Sequence, residues 1–223
     1  MHHEQPSHPR SRPSVRRRSR RHIHSDGRRA IKAGTAVMRL VADGELQVDD
    51  RAGRYVPQLA DSPITVRQPL KQCSGLTDYA RLIDWDEPNS DEGYVGLVLK
   101  AGPEFEPGTE WGYSNTNYLV LGMVIESASG TDYRSYVEDT ILEPLDLRST
   151  YWPDLDELTL RGPHAHNYGI HPAHPEQGEA DVTELPGHEF GASGGLVTTP
   201  GDLNAFWTAC SAAGCCRAGR CGR

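Results

Sequence analysis

The sequence predicts a fold in which helices dominate and strands are few. Three observations indicate this: a helical apolar period near residue 36, a long apolar run after residue 116, and Gly or Pro at the expected helix ends. The chain has 223 residues, of which 36% are hydrophobic, with 23 Gly and 16 Pro. This length allows one large domain or two small ones, and the Gly and Pro content predicts many turns.

The first predicted helix lies in TAVMRLVADGEL. Four apolar residues share one of its faces: Ala36, Val37, Leu40 and Val41. Gly44 is expected to stop this helix. Further along, SPITVRQPLKQCSGL predicts a short strand at residues 64–66 and then a helix that Gly75 ends.

The second half of the ordered region predicts three more helices. TNYLVLGMVIESAS forms an apolar helix ending at Gly130, and Thr131 or Asp132 can cap the helix after it. GASGGLV predicts a glycine turn and a short strand, followed by a helix with Thr199 as its cap and Pro200 at its first position. The acidic DWDEPNSDEG and the Pro- and His-rich stretch at 161–187 are interpreted as surface loops.

Charge divides the chain into three segments. Residues 1–33 hold ten basic and two acidic side chains, residues 34–209 hold ten basic and 29 acidic, and residues 210–223 hold three basic and none acidic. Such blocks predict a basic disordered arm at 1–33, a domain at 34–209 and a Cys/Arg-rich tail at 210–223. The acidic middle segment argues against nucleic acid as the domain's partner, because phosphate binding needs a basic face.

Neither a membrane span nor a secretory signal can be read in the sequence. No apolar run approaches the ~20 residues that cross a bilayer, so no membrane span is predicted. The first 30 residues contain no readable secretory signal, and the compartment stays open.

Four segments together resemble one family: ITVRQPLKQCSGLTDY, FEPGTEWGYSNTNYLVLGMVIESASG, YRSYVEDTILEPLDLRST and GASGGLVTTPGDL. In order and spacing they are similar to landmarks of the serine hydrolases related to class C β-lactamases and D-alanyl-D-alanine carboxypeptidases. The resemblance implies an α+β fold of the β-lactamase/transpeptidase type, with a helical region and an antiparallel sheet flanked by helices. The strands that would form most of this sheet are missing from the similarity, so we expect an incomplete sheet.

The resemblance also implies roles for Tyr113 and Asn115, which match the family's Tyr-x-Asn. In that family a Ser-x-x-Lys supplies a nucleophilic serine, and a Lys-Thr-Gly or His-x-Gly forms the third motif. Tyr113 would act as a base or proton relay beside the serine. Asn115 would donate to the acyl-side carbonyl of the substrate and accept from the lysine. Ser114 would point toward the core or backbone. The structural alternative is a half-buried aromatic followed by a helix cap.

The matching Ser-x-x-Lys is missing from these 223 residues. None of the three lysines has a serine three positions before it: Arg29 precedes Lys32, Gln68 precedes Lys71 and Leu97 precedes Lys100. The family's spacing would place the nucleophile near Gly27 and the lysine near Ala30. Ser25 and Lys32 lie seven positions apart and cannot form a one-turn pair. We therefore expect Tyr113 and Asn115 to be vestigial and the chain to be an inactive pseudoenzyme.

The tail indicates a shifted reading frame. Written in GC-rich codons and read one base earlier, CSAAGCCRA (210–218) gives Leu-Leu-Gly-Gly-Arg-Leu-Leu-Pro-Gly, which resembles the family's continuation after DLNAFWTA. We expect a frame shift between Trp207 and Cys210, and hence a truncated member of the family with no third motif. The same explanation is open for the basic arm.

Other candidate site residues are interpreted as structural, and no metal or cofactor is expected. Four cysteines could bind zinc but lack a Cys-x-x-Cys spacing: Cys210, Cys215, Cys216 and Cys221. Five histidines follow no helical spacing: His164, His166, His171, His174 and His188. Cys73, Ser74 and Ser193 are expected to be packed residues.

For an intact relative, the resemblance implies acyl transfer: a serine attacks a carbonyl, an acyl-enzyme forms and water releases it. The substrate would be a peptidoglycan stem peptide, a β-lactam or a simple ester. Two alternatives stay open for this chain. One is a non-catalytic peptide- or lactam-binding module that uses Asn115 to hold a carbonyl. The other is nucleic-acid binding through the Arg-rich arm.

Overall fold

A computed structural model of the chain describes residues 33–84, 90–153, 159–170, 175–181, 183 and 191–212. The α-helices in this part of the chain are α1 Thr35–Asp43, α2 Arg67–Leu70, α3 Asp91–Ala101, α4 Thr116–Ser129, α5 Tyr133–Val137 and α6 Pro200–Ala212. A π-helical turn, Glu138–Leu142, continues α5. Single 3-10 turns lie at Ala52–Arg54, Pro57–Leu59, Tyr79–Arg81, Pro175–Gln177 and Gly191–Ser193. Two strands, β1 Tyr168–Ile170 and β2 Glu179–Asp181, form an antiparallel hairpin.

The core is built around α4. Its apolar side chains are fully buried on more than one face of the helix, among them Leu119, Val120, Leu121, Val124 and Ile125. Helices α1, α2, α3 and α5 and the turn Gly191–Ser193 all pack against it. A helix that is apolar all round is a core helix, which explains the long apolar run in its sequence.

Gly122 allows the turn Gly191–Ser193 to approach α4 closely. A Cβ atom at residue 122 would lie 2.7 Å from the Cβ of Ala192, which is fully buried. Two carbons cannot come that close without a shift of one chain. The absence of a side chain at residue 122 therefore sets the distance between this turn and the central helix.

Helix α1 has the apolar face that its sequence predicts. Ala36, Val37 and Leu40 are buried, whereas Met38 is 50% exposed. Gly44 ends the helix with φ 82°, and its N–H donates to the carbonyls of Leu40 and Val41. This prediction is confirmed.

Two predicted helix caps are also confirmed. The side chain of Asp132, rather than Thr131, accepts the Ser135 N–H at 3.0 Å and begins α5. Thr199 Oγ1 accepts the Asp202 N–H at 3.2 Å at the start of α6. In both cases a short polar side chain satisfies an N–H group that the helix itself leaves without a partner.

The helix predicted to reach Gly75 is shorter than expected. It ends at Leu70, because Gln72 has φ 56° and this left-handed conformation cannot continue a right-handed helix. Gly75 instead forms a later turn, with φ 77°.

Helix α3 contradicts the prediction that the whole acidic stretch is a loop. Ser90 caps this helix through Gly93 N–H, and Asp91 and Glu92 form its first turn. Negative side chains are favourable there because they face the positive end of the helix dipole. The acidic composition belongs in part to a helix start.

The strands differ from the predictions in position. The two predicted strands are reduced to single bridges, Thr65 with Arg51 and Val197 with Tyr151. The hairpin lies in the His-rich stretch that was interpreted as a loop, with Tyr168 opposite Asp181. Across the described ranges this hairpin is the whole sheet, which confirms the expectation of a helical region with an incomplete antiparallel sheet.

The predicted segment boundaries lie mostly outside the described residues. Of the basic arm only Ala33 is described, and of the tail only residues 210–212, which continue α6. The three-segment organisation therefore stays a prediction. None of the helices described here has the length and hydropathy of a membrane-crossing helix.

We predict that Gly122→Ala destabilises the chain by about 1–3 kcal/mol, because the added methyl group meets Ala192. Urea unfolding followed by circular dichroism measures this change. The double variant with Ala192→Gly is expected to recover part of the loss. Gly96 in α3 is the matched control, since a Cβ there would meet nothing within 4 Å. Equal destabilisation by Gly122→Ala and Gly96→Ala would contradict the packing argument.

Candidate active site

Two segments meet at the candidate site: residues 72–79, which follow α2, and residues 112–117, which lead into α4. Backbone hydrogen bonds join them, such as Gly112 N–H to the Gln72 carbonyl at 2.9 Å. Gly75 gives the first segment its turn. With φ 77°, a Cβ there would lie within 1.9 Å of the Phe105 carbonyl oxygen, so only glycine fits.

Asn115 lies at the start of α4 and is held by Asp78. Its Nδ2 donates to the two carboxylate oxygens of Asp78 at 3.1 and 3.0 Å, and its backbone N–H donates to Asp78 Oδ1 at 3.2 Å. Asp78 is only 7% exposed. A buried carboxylate needs such donors, because burial without them is costly. This contact fixes the orientation of the Asn115 amide.

Tyr113 completes a hydrogen-bonded chain of three side chains. Its hydroxyl donates to Asn115 Oδ1 at 2.9 Å, while the Asn115 amide nitrogen faces Asp78. The Tyr113 ring is half-buried, with its centroid 6.3 Å from that of Tyr118. The carboxylate polarises the amide, which strengthens the amide oxygen as an acceptor for the phenol. The two residues singled out from the sequence are therefore in direct contact.

The structure does not support the helix-cap interpretation of Asn115. Its side chain makes no capping hydrogen bond to α4. Ser114 Oγ instead accepts the Thr116 N–H at 3.2 Å, and Ser114 is only 3% exposed. The expectation that Ser114 points inward is confirmed. Asn115 is left to contact Asp78 and Tyr113.

A network of buried polar side chains lies next to the candidate site. Ser74 Oγ donates to Asn117 Oδ1 at 2.5 Å and also accepts the Leu76 N–H at 3.1 Å. Asn117 Nδ2 in turn donates to Gln72 Oε1 at 2.6 Å. Ser74 is 1% exposed. Its hydroxyl is held inside this network, as the structural interpretation of Ser74 predicts.

Ser193 is also structural. Its hydroxyl lies 2.6 Å from the hydroxyl of Tyr79, and both side chains are buried. Burial raises the pKa of Tyr79 well above its ordinary value, so the phenol stays protonated at neutral pH. A protonated, buried phenol cannot activate Ser193 as a base, and the pair serves to join two parts of the core.

The positions expected for the nucleophile and its lysine lie outside the described residues. These are Gly27, Ala30, Ser25 and Lys32. The site that the structure describes is therefore the Tyr-x-Asn part, built from segments 72–79 and 112–117.

No group of three or more His, Cys, Asp or Glu residues suited to a metal ion occurs in the described ranges. His166 Nδ1 lies 2.6 Å from Asp181 Oδ2 across the exposed end of the hairpin. Hydrogen bonds from Thr183, with a smaller effect of His166, lower the pKa of Asp181 to about 2. His171, His174, His188, Cys215, Cys216 and Cys221 lie outside the described residues.

Sequence reasoning missed Asp78 and Gln72. Asp78 contacts Asn115 across 37 positions of the chain, and Gln72 contacts Ser114 across 42. No local period or motif marks such pairs. The available signal was an acid next to Leu76 and Tyr79 in SGLTDY, since a carboxylate there needs donors if it is buried.

A family model described as Beta-lactamase matches residues 32–214. The chain therefore belongs to the beta-lactamase family, as its four segments predict. This match extends over more than four-fifths of the sequence and includes both segments of the candidate site.

Individual relatives match over part of their length. The chain is 31% identical over 120 residues to penicillin-binding protein 4* of Bacillus subtilis, covering 51% of this chain and 27% of that protein. It is 33% identical over 135 residues to a putative D-alanyl-D-alanine carboxypeptidase of Escherichia coli, covering 54% and 31%. A D-stereospecific amidohydrolase from Streptomyces sp. superposes with a TM-score of 0.72 at 29% identity, covering 82% of this chain and 58% of that one. The chain thus spans under a third of these curated relatives.

We predict that Asp78→Ala destabilises the chain by about 1–3 kcal/mol, because it removes the acceptor of three hydrogen bonds from Asn115. In a double-mutant cycle, Asn115→Ala should then cost less in the Asp78→Ala background than in the wild type. Thermal and urea unfolding measure both values. Asp61→Ala, at an exposed residue, is the control and should change stability by under about 0.5 kcal/mol. Strict additivity of the two changes would contradict the contact.

Proposed function

We propose that this chain is the Tyr-x-Asn-bearing, helical part of a serine hydrolase that transfers acyl groups from amide bonds next to D-amino acids. The hydrogen-bonded chain Asp78–Asn115–Tyr113 is the observation that carries this proposal. The names of the relatives support the substrate class, since they include a D-alanyl-D-alanine carboxypeptidase and a D-stereospecific amidohydrolase. A β-lactam or a simple ester is the other substrate class that the resemblance implies.

The contact between Tyr113 and Asn115 suits proton transfer. A phenol oxygen both donates and accepts hydrogen bonds. With its own proton directed to Asn115 Oδ1, the Tyr113 oxygen can accept a hydrogen bond from a hydroxyl placed beside it. To take the proton of that hydroxyl, Tyr113 must first lose its own proton and react as the phenolate. General acid–base catalysis requires such a group at hydrogen-bonding distance from the reacting atom. Tyr113 is thus proposed to relay a proton from the nucleophile to the leaving group of the substrate.

Asn115 is proposed to orient both Tyr113 and the substrate. Because Asp78 holds the amide nitrogen side, the amide oxygen stays directed at the Tyr113 hydroxyl. An acyl-side carbonyl would share the amide donor with the Asp78 carboxylate. Substrate binding at Asn115 would therefore depend on Asp78, although Asp78 itself need not touch the substrate.

We infer that the 223 residues do not themselves form an acyl-enzyme. No serine stands three positions before a lysine in the sequence. Loss of the nucleophilic serine costs serine hydrolases on the order of a millionfold in kcat. Tyr113 and Asn115 would then keep their geometry without supporting turnover.

The prediction is that a fluorescent penicillin gives no SDS-stable labelled band with this chain. A penicillin-binding protein that contains Ser-x-x-Lys, labelled in parallel, is the positive control. The reaction is followed by gel fluorescence with and without an excess of unlabelled penicillin. A band on this chain that unlabelled penicillin removes would contradict the inference, because it would show a covalent acyl adduct.

A second candidate function is a non-catalytic binding module, favoured by the intact Tyr113–Asn115 contact in a chain without the nucleophile motif. We predict that an N-acetylated D-Ala-D-Ala peptide binds reversibly and that Asn115→Ala abolishes binding. Titration calorimetry or NMR chemical shifts measure the Kd. Asn204→Ala, at an exposed residue of α6, is the matched control and should bind like the wild type. Equal binding by both variants would show that the peptide does not use the Tyr-x-Asn site.

A further inference from the structure

We infer that Gln72 is a positioning residue that fixes the orientation of Tyr113 by holding the chain on both sides of it. The inference rests on the proposed function of Tyr113. Gln72 itself does not act on a substrate in this proposal. It lies in the segment after α2 and reaches the Tyr-x-Asn loop through hydrogen bonds to its backbone.

Gln72 binds the residue before Tyr113 and the residue after it. Its backbone carbonyl accepts the Gly112 N–H at 2.9 Å, and its side-chain Oε1 accepts the Ser114 N–H at 2.9 Å. The direction of a Cα–Cβ bond is set by the positions of the two neighbouring peptides. Gln72 holds the peptide after Tyr113 through the Ser114 N–H, and through the Gly112 N–H it holds the peptide one residue further back. The two hydrogen bonds together restrict where the Tyr113 phenol can lie.

The same oxygen of Gln72 is tied to α4. Asn117, in the first turn of that helix, donates from Nδ2 to Gln72 Oε1 at 2.6 Å. Asn117 is fully buried and its own oxygen is held by Ser74. The acceptor that positions Ser114 is thus fixed with respect to the core helix, and the two donors establish that the oxygen of the Gln72 amide faces them.

Gln72 occupies a position that is unfavourable for glutamine on two counts. Its φ is 56°, a left-handed conformation that long side chains seldom adopt. Gln72 is only 8% exposed, and its buried Nε2 has no hydrogen-bond partner among the described residues. Strain and an unsatisfied donor both destabilise the folded state. A shorter side chain would not bring an acceptor within hydrogen-bonding distance of the Ser114 N–H.

Asp78 and Gln72 hold different parts of the Tyr-x-Asn loop. Asp78 holds the Asn115 side chain, and Gln72 holds the backbone around Tyr113. The hydrogen bond from the Tyr113 hydroxyl to Asn115 Oδ1, at 2.9 Å, joins the two parts that Gln72 and Asp78 hold. A shift of the Tyr113 backbone alone would break this contact while leaving Asn115 on Asp78.

Gln72→Asn tests the inference. Asparagine tolerates the left-handed conformation better than glutamine, and it keeps an amide, but it withdraws the acceptor by one C–C bond, about 1.5 Å. In protein labelled with 13C-tyrosine, the Tyr113 ring signal is assigned by its loss in Tyr113→Phe. We expect Gln72→Asn to shift or broaden this signal while the circular dichroism spectrum of the helices is retained. An unchanged Tyr113 signal would overturn the inference.

Gln68→Asn is the matched control. Gln68 lies in the same part of the chain, and its Oε1 also accepts a backbone N–H, that of Thr65 at 2.8 Å. The same shortening there should leave the Tyr113 signal in place. Equal displacement in both variants would show a general loosening of the segment and would overturn the positioning role.

Gln72→Glu is the rescue variant and decides the matter even where Gln72→Asn does not fold. Glutamate keeps an oxygen acceptor at the same reach for Ser114 and Asn117. The Tyr113 signal is therefore expected to stay at its wild-type position in folded Gln72→Glu. A displaced signal in this variant would mean that the acceptor does not set the orientation of Tyr113.

Peptide binding separates this inference from the proposed function. With the N-acetylated D-Ala-D-Ala peptide as the probe, Gln72→Asn should raise Kd about five- to tenfold, the effect of one net hydrogen bond. If the Tyr113 signal moves but the peptide binds neither variant nor wild type, the positioning role stands and the proposed function fails. If the peptide binds wild type and Gln72→Asn alike and the signal stays in place, the function stands and the positioning role fails.

Discussion

The hydrogen bonds between segment 72–79 and the start of α4 are the constraint on which the candidate site depends. Helix α4 is placed mainly by apolar burial, and Asn117 in its first turn adds hydrogen bonds to Gln72 and Ser74. In the loop before it, Tyr113 and Asn115 are only half-buried and lack such an anchor. The Asp78 carboxylate supplies one, accepting three hydrogen bonds from Asn115. Polar contacts therefore position Tyr113 and Asn115, and apolar packing makes the main contribution to placing the helix that follows them.

Features that depend on residues close together in the sequence could be predicted, whereas features that depend on distant residues could not. Helices α1 and α4 and the caps Asp132 and Thr199 were predicted, because an apolar period and a cap depend on residues within a few positions of each other. The hairpin was missed, since β1 and β2 are largely exposed and lack the apolar alternation of a half-buried strand. An alternating apolar pattern arises where every second side chain is buried, and neither strand is buried in this way.

The site divides in the same way. The motif in the sequence marks Tyr113 and Asn115 through the family resemblance, but it gives no indication of what holds them. Asp78 and Gln72 act across 37 and 42 positions, and no local motif in a single sequence pairs residues that far apart. The left-handed Gln72 also ends α2 early, which propensity alone would not predict, because glutamine is a good helix former. A tertiary contact overrides local preference at this residue.

The proposed binding role of Asn115 and the proposed covalent chemistry depend on different groups. The hydrogen bonds that orient Tyr113 and Asn115 come from residues 72–78 and from their own loop. A serine nucleophile and its lysine would add reacting atoms to this arrangement, but these hydrogen bonds do not require them. The proposed recognition of a carbonyl at Asn115 therefore does not depend on acylation. Orientation precedes reaction in acyl transfer, and the described hydrogen bonds orient Tyr113 and Asn115 from within the helical region.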